Sequence, residues 1–265
     1  MFAKELRYFL LAIGFFTRIP VPQYTDFDEA ELNYSSKYFP LVGIVVGLCG
    51  AGTFVVSAAF LPKSIAVLIS MASTIYLTGA FHEDGLADSA DGLGGGWKRE
   101  QILTIMQDSR LGTFGAAALF LMLFTKFQLI SNINNYFIPL ALVAAHALSR
   151  LGAVWVMATL QYAKPEGKAK PLATHITSPA LLTANVFGLL PYISMVTLLV
   201  VSKHPAELVI KLVLMTLIPM LLSWLWWHNK VKHHLDGYTG DTLGAVQQIT
   251  ELAFYFGLVL WSVNT

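Results

Sequence analysis

The apolar residues of this chain fall into seven long blocks, at 39–61, 64–81, 112–130, 136–160, 180–201, 208–227 and 245–263. Each is about as long as the ~20 residues a helix needs to cross the hydrocarbon of a bilayer. The blocks do not alternate apolar and polar positions with period two, which argues against a β-barrel. Backbone groups in lipid must be satisfied within their own segment or by protein neighbours, so the blocks predict helices. The expectation is an all-α polytopic membrane protein, with about seven transmembrane helices in a single membrane-embedded domain over 1–265.

The N-terminal apolar run, 8–17, is too short to span. Lys4 and Arg7 precede it like the start of a signal peptide, but Arg18, Pro20 and Pro22 follow where a small-residue cleavage site would stand. It is read as a retained interfacial or re-entrant helix. Composition agrees with a membrane protein: 55% of the 265 residues are hydrophobic and 12% charged, about half the charged share of soluble domains. The formal charge of +1 argues against a nucleic-acid binder steered by bulk electrostatics. The lone Cys49 allows no disulfide within the chain.

Basic residues set the expected orientation. Leaving out Arg150, alternate sides of the seven blocks carry twelve and four Lys or Arg residues, with Lys126 counted on the poorer side. The positive-inside rule then places the N-terminus in the cytoplasm and the C-terminus outside. Fourteen of the sixteen acidic residues fall on the same cytoplasmic side. Acidic residues have little say in topology, so their clustering points to function.

The centre of that clustering is His82-Glu-Asp-Gly-Leu-Ala-Asp-Ser-Ala-Asp-Gly-Leu-Gly-Gly-Gly96. If helical, it puts Asp84, Asp88 and Asp91 at i, i+4 and i+7, on one face. Three like charges near a low-dielectric boundary need compensation by protons or cations. Oxygen-only ligands favour hard cations, above all magnesium and calcium, and the spacing excludes an EF-hand. Glu83 adds a fourth carboxylate, and the glycines suit backbone approaching a ligand closely.

Two further stretches lie on the same side. Asp108-Ser-Arg-Leu-Gly-Thr-Phe-Gly115 opens the third block. There the Arg110 fork and a helix N-terminus form a candidate phosphate clamp with Asp108 and Ser109. Asp236-Gly-Tyr-Thr-Gly-Asp-Thr-Leu-Gly-Ala245 precedes the last block. Thr239 and Asp241 there are candidates for a second part of the site, against the plainer reading of a turn and helix cap. Deeper in the membrane, Arg150 and Glu251 are expected to approach one another or line a polar cavity, because intramembrane ionisable groups are costly and normally paired. His146 is expected to make a helix–helix hydrogen bond. His228, His233 and His234, beside Lys230 and Lys232, are read as interfacial.

The three motifs, with Phe-Thr-Arg-Ile-Pro-Val-Pro at 16–22, closely resemble the cobalamin synthase (adenosylcobinamide-GDP ribazoletransferase) family over nearly the whole chain. The resemblance implies a magnesium-dependent enzyme of the bacterial cytoplasmic (inner) membrane. Its reaction joins adenosylcobinamide-GDP to α-ribazole or its 5′-phosphate, releasing GMP and forming adenosylcobalamin or its phosphate. It implies that Glu83, Asp84, Asp88 and Asp91 supply the catalytic and Mg2+-binding carboxylates. His82, Asp108, Ser109, Arg110, Arg150, Thr239, Asp241 and Glu251 would then serve substrate binding, with Asp84 or Glu83 as general base. At Lys164-Pro-Glu-Gly167 the family is expected to carry Arg, where Lys keeps the charge but loses bidentate contacts. Asp88-Ser-Ala-Asp-Gly92 is similar to the opening of the CDP-alcohol phosphotransferase motif, an analogy of chemistry only. The competing class is a transporter of an anionic solute. Against it, no internal repeat is evident and the polar motifs lie at block ends on one side. Gly43, Gly47, Gly50 and Gly52 are candidates for close helix contact, in a homo-oligomer among other settings.

Overall fold

The computed structural model describes residues 2–22, 29–163 and 176–264. Its helices are α1 (Phe2–Phe16), α2 (Glu29–Ser35), α3 (Phe39–Ala58), α4 (Lys63–Thr78), α5 (Phe81–Gly95), α6 (Arg99–Ile105), α7 (Thr113–Asn132), α8 (Ile138–Thr159), α9 (Ser178–Val201), α10 (Ala206–Leu235) and α11 (Gly240–Val263). A 3-10 turn, Ser36–Tyr38, joins α2 to α3. Among the described residues the only extended pairing is an isolated parallel bridge between Tyr162 and Tyr238. The all-α expectation holds.

Six helices are long and apolar enough to cross a membrane: α7 to α11, and α3 continued back to Glu31. The second block departs from expectation. It ends at Thr78, and after consecutive left-handed residues Gly79 (φ 66°) and Ala80 (φ 59°) the chain bends by 85° into α5. Glycine adopts that conformation freely and alanine does not, so the corner holds some strain at Ala80. The acidic stretch is therefore a helix packed into the bundle rather than a surface connection.

Hydrogen bonds at the helix ends show how α4 runs. Near its start, Lys63 Nζ donates to the carbonyl of Ile133, just past α7 (2.5 Å). At its other end the backbone N–H of Arg18 donates to Leu77 (2.8 Å), and α5 then meets the beginning of α7. So α4 runs alongside α7 in the opposite sense, and the bent pair of α4 and α5, counted as one span, brings the number to seven. Trp261 bonds the carbonyl of Leu208 (3.0 Å), which sets the end of α11 beside the start of α10. The bridge at Tyr162 and Tyr238 sets the end of α8 beside the turn from α10 to α11. All three sequence motifs consequently gather at one end of the bundle.

α8 is the central helix, with sixteen of its residues buried. α3 lies against it so closely that side chains on Gly43 and Gly47 would collide with the α8 backbone at His146 and Val143, while Gly50 packs on Thr74. These glycines serve packing within the chain rather than contact with a second copy; Gly52 faces open space. Two boundaries also differ from the blocks. α10 continues past Trp227 to Leu235, and α11 begins at Gly240, before the apolar block opens. That earlier start puts Glu251 at the middle of α11.

Candidate active site

α5 places Asp84, Asp88 and Asp91 one and then roughly two turns along a continuous helix, as the spacing predicts. Their surroundings differ. Asp84 is exposed, Asp88 half-buried and Asp91 buried. Asp91 is engaged by the start of α7: Gly112 N–H donates to its Oδ2 and Gly115 N–H to its Oδ1, both at 2.8 Å. A carboxylate at a helix N-terminus satisfies donors with no intrahelical partner and meets the positive end of the dipole. Side chains at Gly112 or Gly115 would occupy the space of the Asp91 carboxylate. The Gly-x-x-Gly of the second motif is thus the seat for the last aspartate of the first.

This changes the reading of the phosphate clamp. The N–H groups of α7 expected to meet phosphate are those that Asp91 already holds. Arg110 remains open to solvent, with 87% of its side chain exposed, and is folded onto Asp108 through Nε (3.0 and 3.1 Å) and Nη2 (2.5 Å). That guanidinium, with the Arg110 backbone N–H, lowers the Asp108 carboxyl from 3.8 to about 2. Ser109 beside them is exposed.

The third motif meets the first by backbone contact. A Cβ on Gly85 would lie 2.7 Å from the Asp241 carbonyl oxygen, and one on Gly244 would lie 3.2 Å from His82. Absence of side chains lets α5 and the start of α11 cross closely, with Asp84 and Asp88 on the residues flanking the crossing. Thr239 is the N-cap of α11 in a capping box: its Oγ1 accepts from Thr242 N–H (3.2 Å) and its own N–H donates to Thr242 Oγ1 (2.8 Å). Its hydroxyl also donates to Asp241 Oδ2 (3.3 Å). Thr239, wholly buried, is therefore a helix cap and presents no free hydroxyl to a ligand; Asp241 is half-buried. The motif is fastened from the other side by Tyr238 N–H to Gln161 (2.9 Å) and Ala163 N–H to Tyr238 (2.8 Å). Arg99 bonds the carbonyls of Leu235 (2.8 Å) and Ala163.

His82 does not face the acidic row. It is buried, with its ring 5.9 Å from Phe16 of α1 and stacked on it. This contact joins the N-terminal helix to α5. Lys164-Pro-Glu-Gly167 lies outside the described residues.

Beneath the motifs runs a buried polar chain. Glu83 Oε1 accepts from Gln248 (3.1 Å), whose Oε1 accepts from Lys126 (2.7 Å). Lys126 Nζ lies 3.2 Å from Glu251 Oε1. Glu251 Oε2 accepts from Gln247 (2.6 Å) and lies 3.5 Å from His146 Nδ1. Gln247 also reaches Ser149 (2.9 Å). Arg150 donates to the His146 carbonyl (3.0 Å), with its Nη1 3.3 Å from His146 Nδ1. Arg150 and Glu251 thus share His146 between them, and the ion-pair partner of Glu251 is Lys126. Lys126 is not a charge at the far end of the bundle, as the count by blocks assumed, but is buried within it. The presence of an acid and bases within separate apolar blocks was the only signal for this pairing; Gln247, Gln248 and Ser149 gave none.

Glu83 Oε2 is buried and has no hydrogen-bond partner. Among the described residues, no three His, Cys, Asp or Glu side chains are grouped to hold a metal ion. The histidines at 228, 233 and 234 do not form such a group. His228 stacks on Trp224 at 5.0 Å, and His234 meets the Lys230 carbonyl at 2.9 Å.

Fold and site together define a multi-pass membrane protein with a carboxylate-rich site at one end of its helical bundle. The chain belongs to the cobalamin-5-phosphate synthase family, whose profile matches residues 8–259. It is similar to proteins named adenosylcobinamide-GDP ribazoletransferase. One from Shewanella amazonensis is 44% identical over 267 residues, 98% of each chain. One from Shewanella piezotolerans is 41% identical over 262 residues, 97% of this chain and 96% of the relative. One from Ralstonia pickettii is 43% identical over 254 residues, 94% of each. No solved structure matches. Family membership makes this chain an enzyme that transfers a group in cobalamin synthesis.

Proposed function

We propose that the chain is an adenosylcobinamide-GDP ribazoletransferase, joining adenosylcobinamide-GDP to α-ribazole or its 5′-phosphate with release of GMP. The observation that supports this most is the meeting of three separate motifs at one end of the bundle. Gly85 lies against Asp241, and Asp91 sits in the Gly112–Gly115 seat.

The cofactor in this reading is Mg2+. Asp84 and Asp88, one turn apart on α5, are the carboxylates that would hold it. Magnesium is usually bound by one or two carboxylates together with substrate phosphates, so an incomplete protein ligand set suits a site finished by the pyrophosphate. Oxygen donors alone fit a hard cation. Bound there, the ion would neutralise charge on the pyrophosphate and on departing GMP. Asp91, with an N–H on each oxygen, is assigned to holding the second motif in place.

The chain's own groups have separate tasks. Arg110 exchanges the Asp108 carboxylate for a substrate phosphate, since both accept its planar fork. Glu83 receives the proton of the ribose hydroxyl at Oε2, while Gln248 fixes the other oxygen. Asp84, as a metal ligand, is the weaker choice of base. The protein sits in a bacterial cytoplasmic membrane with its motif end, and so its N-terminus, in the cytoplasm and its C-terminus outside. The excess of Lys and Arg toward the motif end supports that orientation.

The test is to supply purified protein with both substrates and Mg2+ and to measure GMP and the corrinoid product. Stoichiometric GMP supports the reading. Uptake of a solute into proteoliposomes without product would replace it with transport.

A further inference from the structure

One cavity is used by none of the chemistry above. It has a volume of about 570 Å3 and lies between α5, α7, α10 and α11. From α5 it is lined by Leu86, Ala90 and Leu93. Each stands two residues, or about 200° of helix, beyond Asp84, Asp88 and Asp91. The cavity is therefore behind the acidic row. A nucleoside seated in it would have α5 between its ribose and Asp84 and Asp88.

Two features define what the cavity takes. Its wall is mostly apolar, and its rim residues Leu121 and Trp226 are exposed on helices that cross the membrane, so it opens sideways into lipid. Lys230 stands in the lining with its ammonium 5.3 Å from the centre of the Trp226 ring. No acidic side chain among the described residues pairs with it.

We propose that this cavity is a binding site for one anionic glycerophospholipid. An acyl chain fills the apolar space, and the phosphate meets Lys230 near the membrane surface. Each part of the lipid meets the matching part of the wall. The bound lipid would then brace the back of the helix that carries Asp84 and Asp88.

The probe is quenching of tryptophan fluorescence by phospholipids brominated on their acyl chains, because Trp226 and Trp227 both line the cavity. Brominated phosphatidylglycerol should quench at about fivefold lower concentration than brominated phosphatidylcholine, the preference one basic side chain gives near an anionic lipid surface. Lys230→Gln, at a half-exposed position that leaves the fold intact, should bring the two curves together. Ala118→Phe should fill the cavity and reduce phospholipid retained through purification, read by native mass spectrometry. Equal curves for the unaltered protein, or a preference that survives Lys230→Gln, would overturn the proposal. Relief of quenching by inorganic phosphate alone would assign Lys230 to a free anion instead. Relief by α-ribazole 5′-phosphate would make the cavity a substrate subsite, and the lipid reading would be lost.

Discussion

Asp91 and the two glycines that receive it form the tightest joint between motifs, and its behaviour can be separated from chemistry. A methyl group on Gly115 would meet both Asp91 Oδ2 and, at 3.0 Å, the carbonyl of Ala87. Gly115→Ala should therefore destabilise the protein by about 1–3 kcal/mol, the usual cost of overpacking, seen as a lower midpoint of thermal unfolding in detergent. An unchanged midpoint would mean that the seat is looser than its geometry. Asp108 offers a different test. Its folded pKa is depressed to about 2 from 3.8 by Arg110. The contact is thus fully present above 3.8 and lost as pH falls through about 2. Arg110 is exposed and Asp108 partly so, so the effect on overall stability is small and screened by salt. The carboxyl carbon resonance of Asp108 should titrate near 2, and Arg110→Gln should return it to the ordinary carboxylate range.

At the scale of helices, α5, α7, α8 and α11 are joined by the chain from Glu83 through Lys126 and Glu251 to Arg150. Removing one partner of a buried ion pair leaves the other charge without compensation, at a cost of about 3–5 kcal/mol. Glu251→Ala should show that loss in thermal unfolding. The double replacement Lys126→Met with Glu251→Leu should lose less, because no charge is stranded. A double variant no more stable than Glu251→Ala would show that the Gln247 and His146 contacts, rather than the ion pair, carry the stabilisation. Much at this scale was legible in the sequence. Long apolar blocks give the spans, because lipid demands continuous apolar surface, and the i, i+4, i+7 spacing gives the acidic row because helical period is local. The bend at Gly79 and Ala80 was not legible, since it rests on two adjacent left-handed residues of which only one is glycine. Nor was the seat of Asp91, because nothing local links residue 91 to residues 112 and 115. Thr239 could be read either as a cap or as a ligand, and the capping box with Thr242 decides for the cap.

For the whole molecule, the alternation of helix ends puts every motif at one end, and the excess of basic residues toward that end supports the proposal that it faces the cytoplasm. With Lys126 moved from the far end into the core, the charge asymmetry is stronger than the blocks alone gave. A C-terminal alkaline phosphatase fusion should be active and a C-terminal green fluorescent protein fusion dark; the reverse pattern would invert the orientation and place the site outside. The central claim, that the acidic row of α5 is where GMP leaves, is tested most directly by one comparison. GMP release from adenosylcobinamide-GDP and α-ribazole, across a range of Mg2+ concentrations, is measured for the unaltered protein and for Asp88→Ala. The account predicts Mg2+-dependent release that Asp88→Ala abolishes in protein that still inserts into the membrane and purifies folded. Near-normal release from Asp88→Ala at ordinary Mg2+ would contradict it.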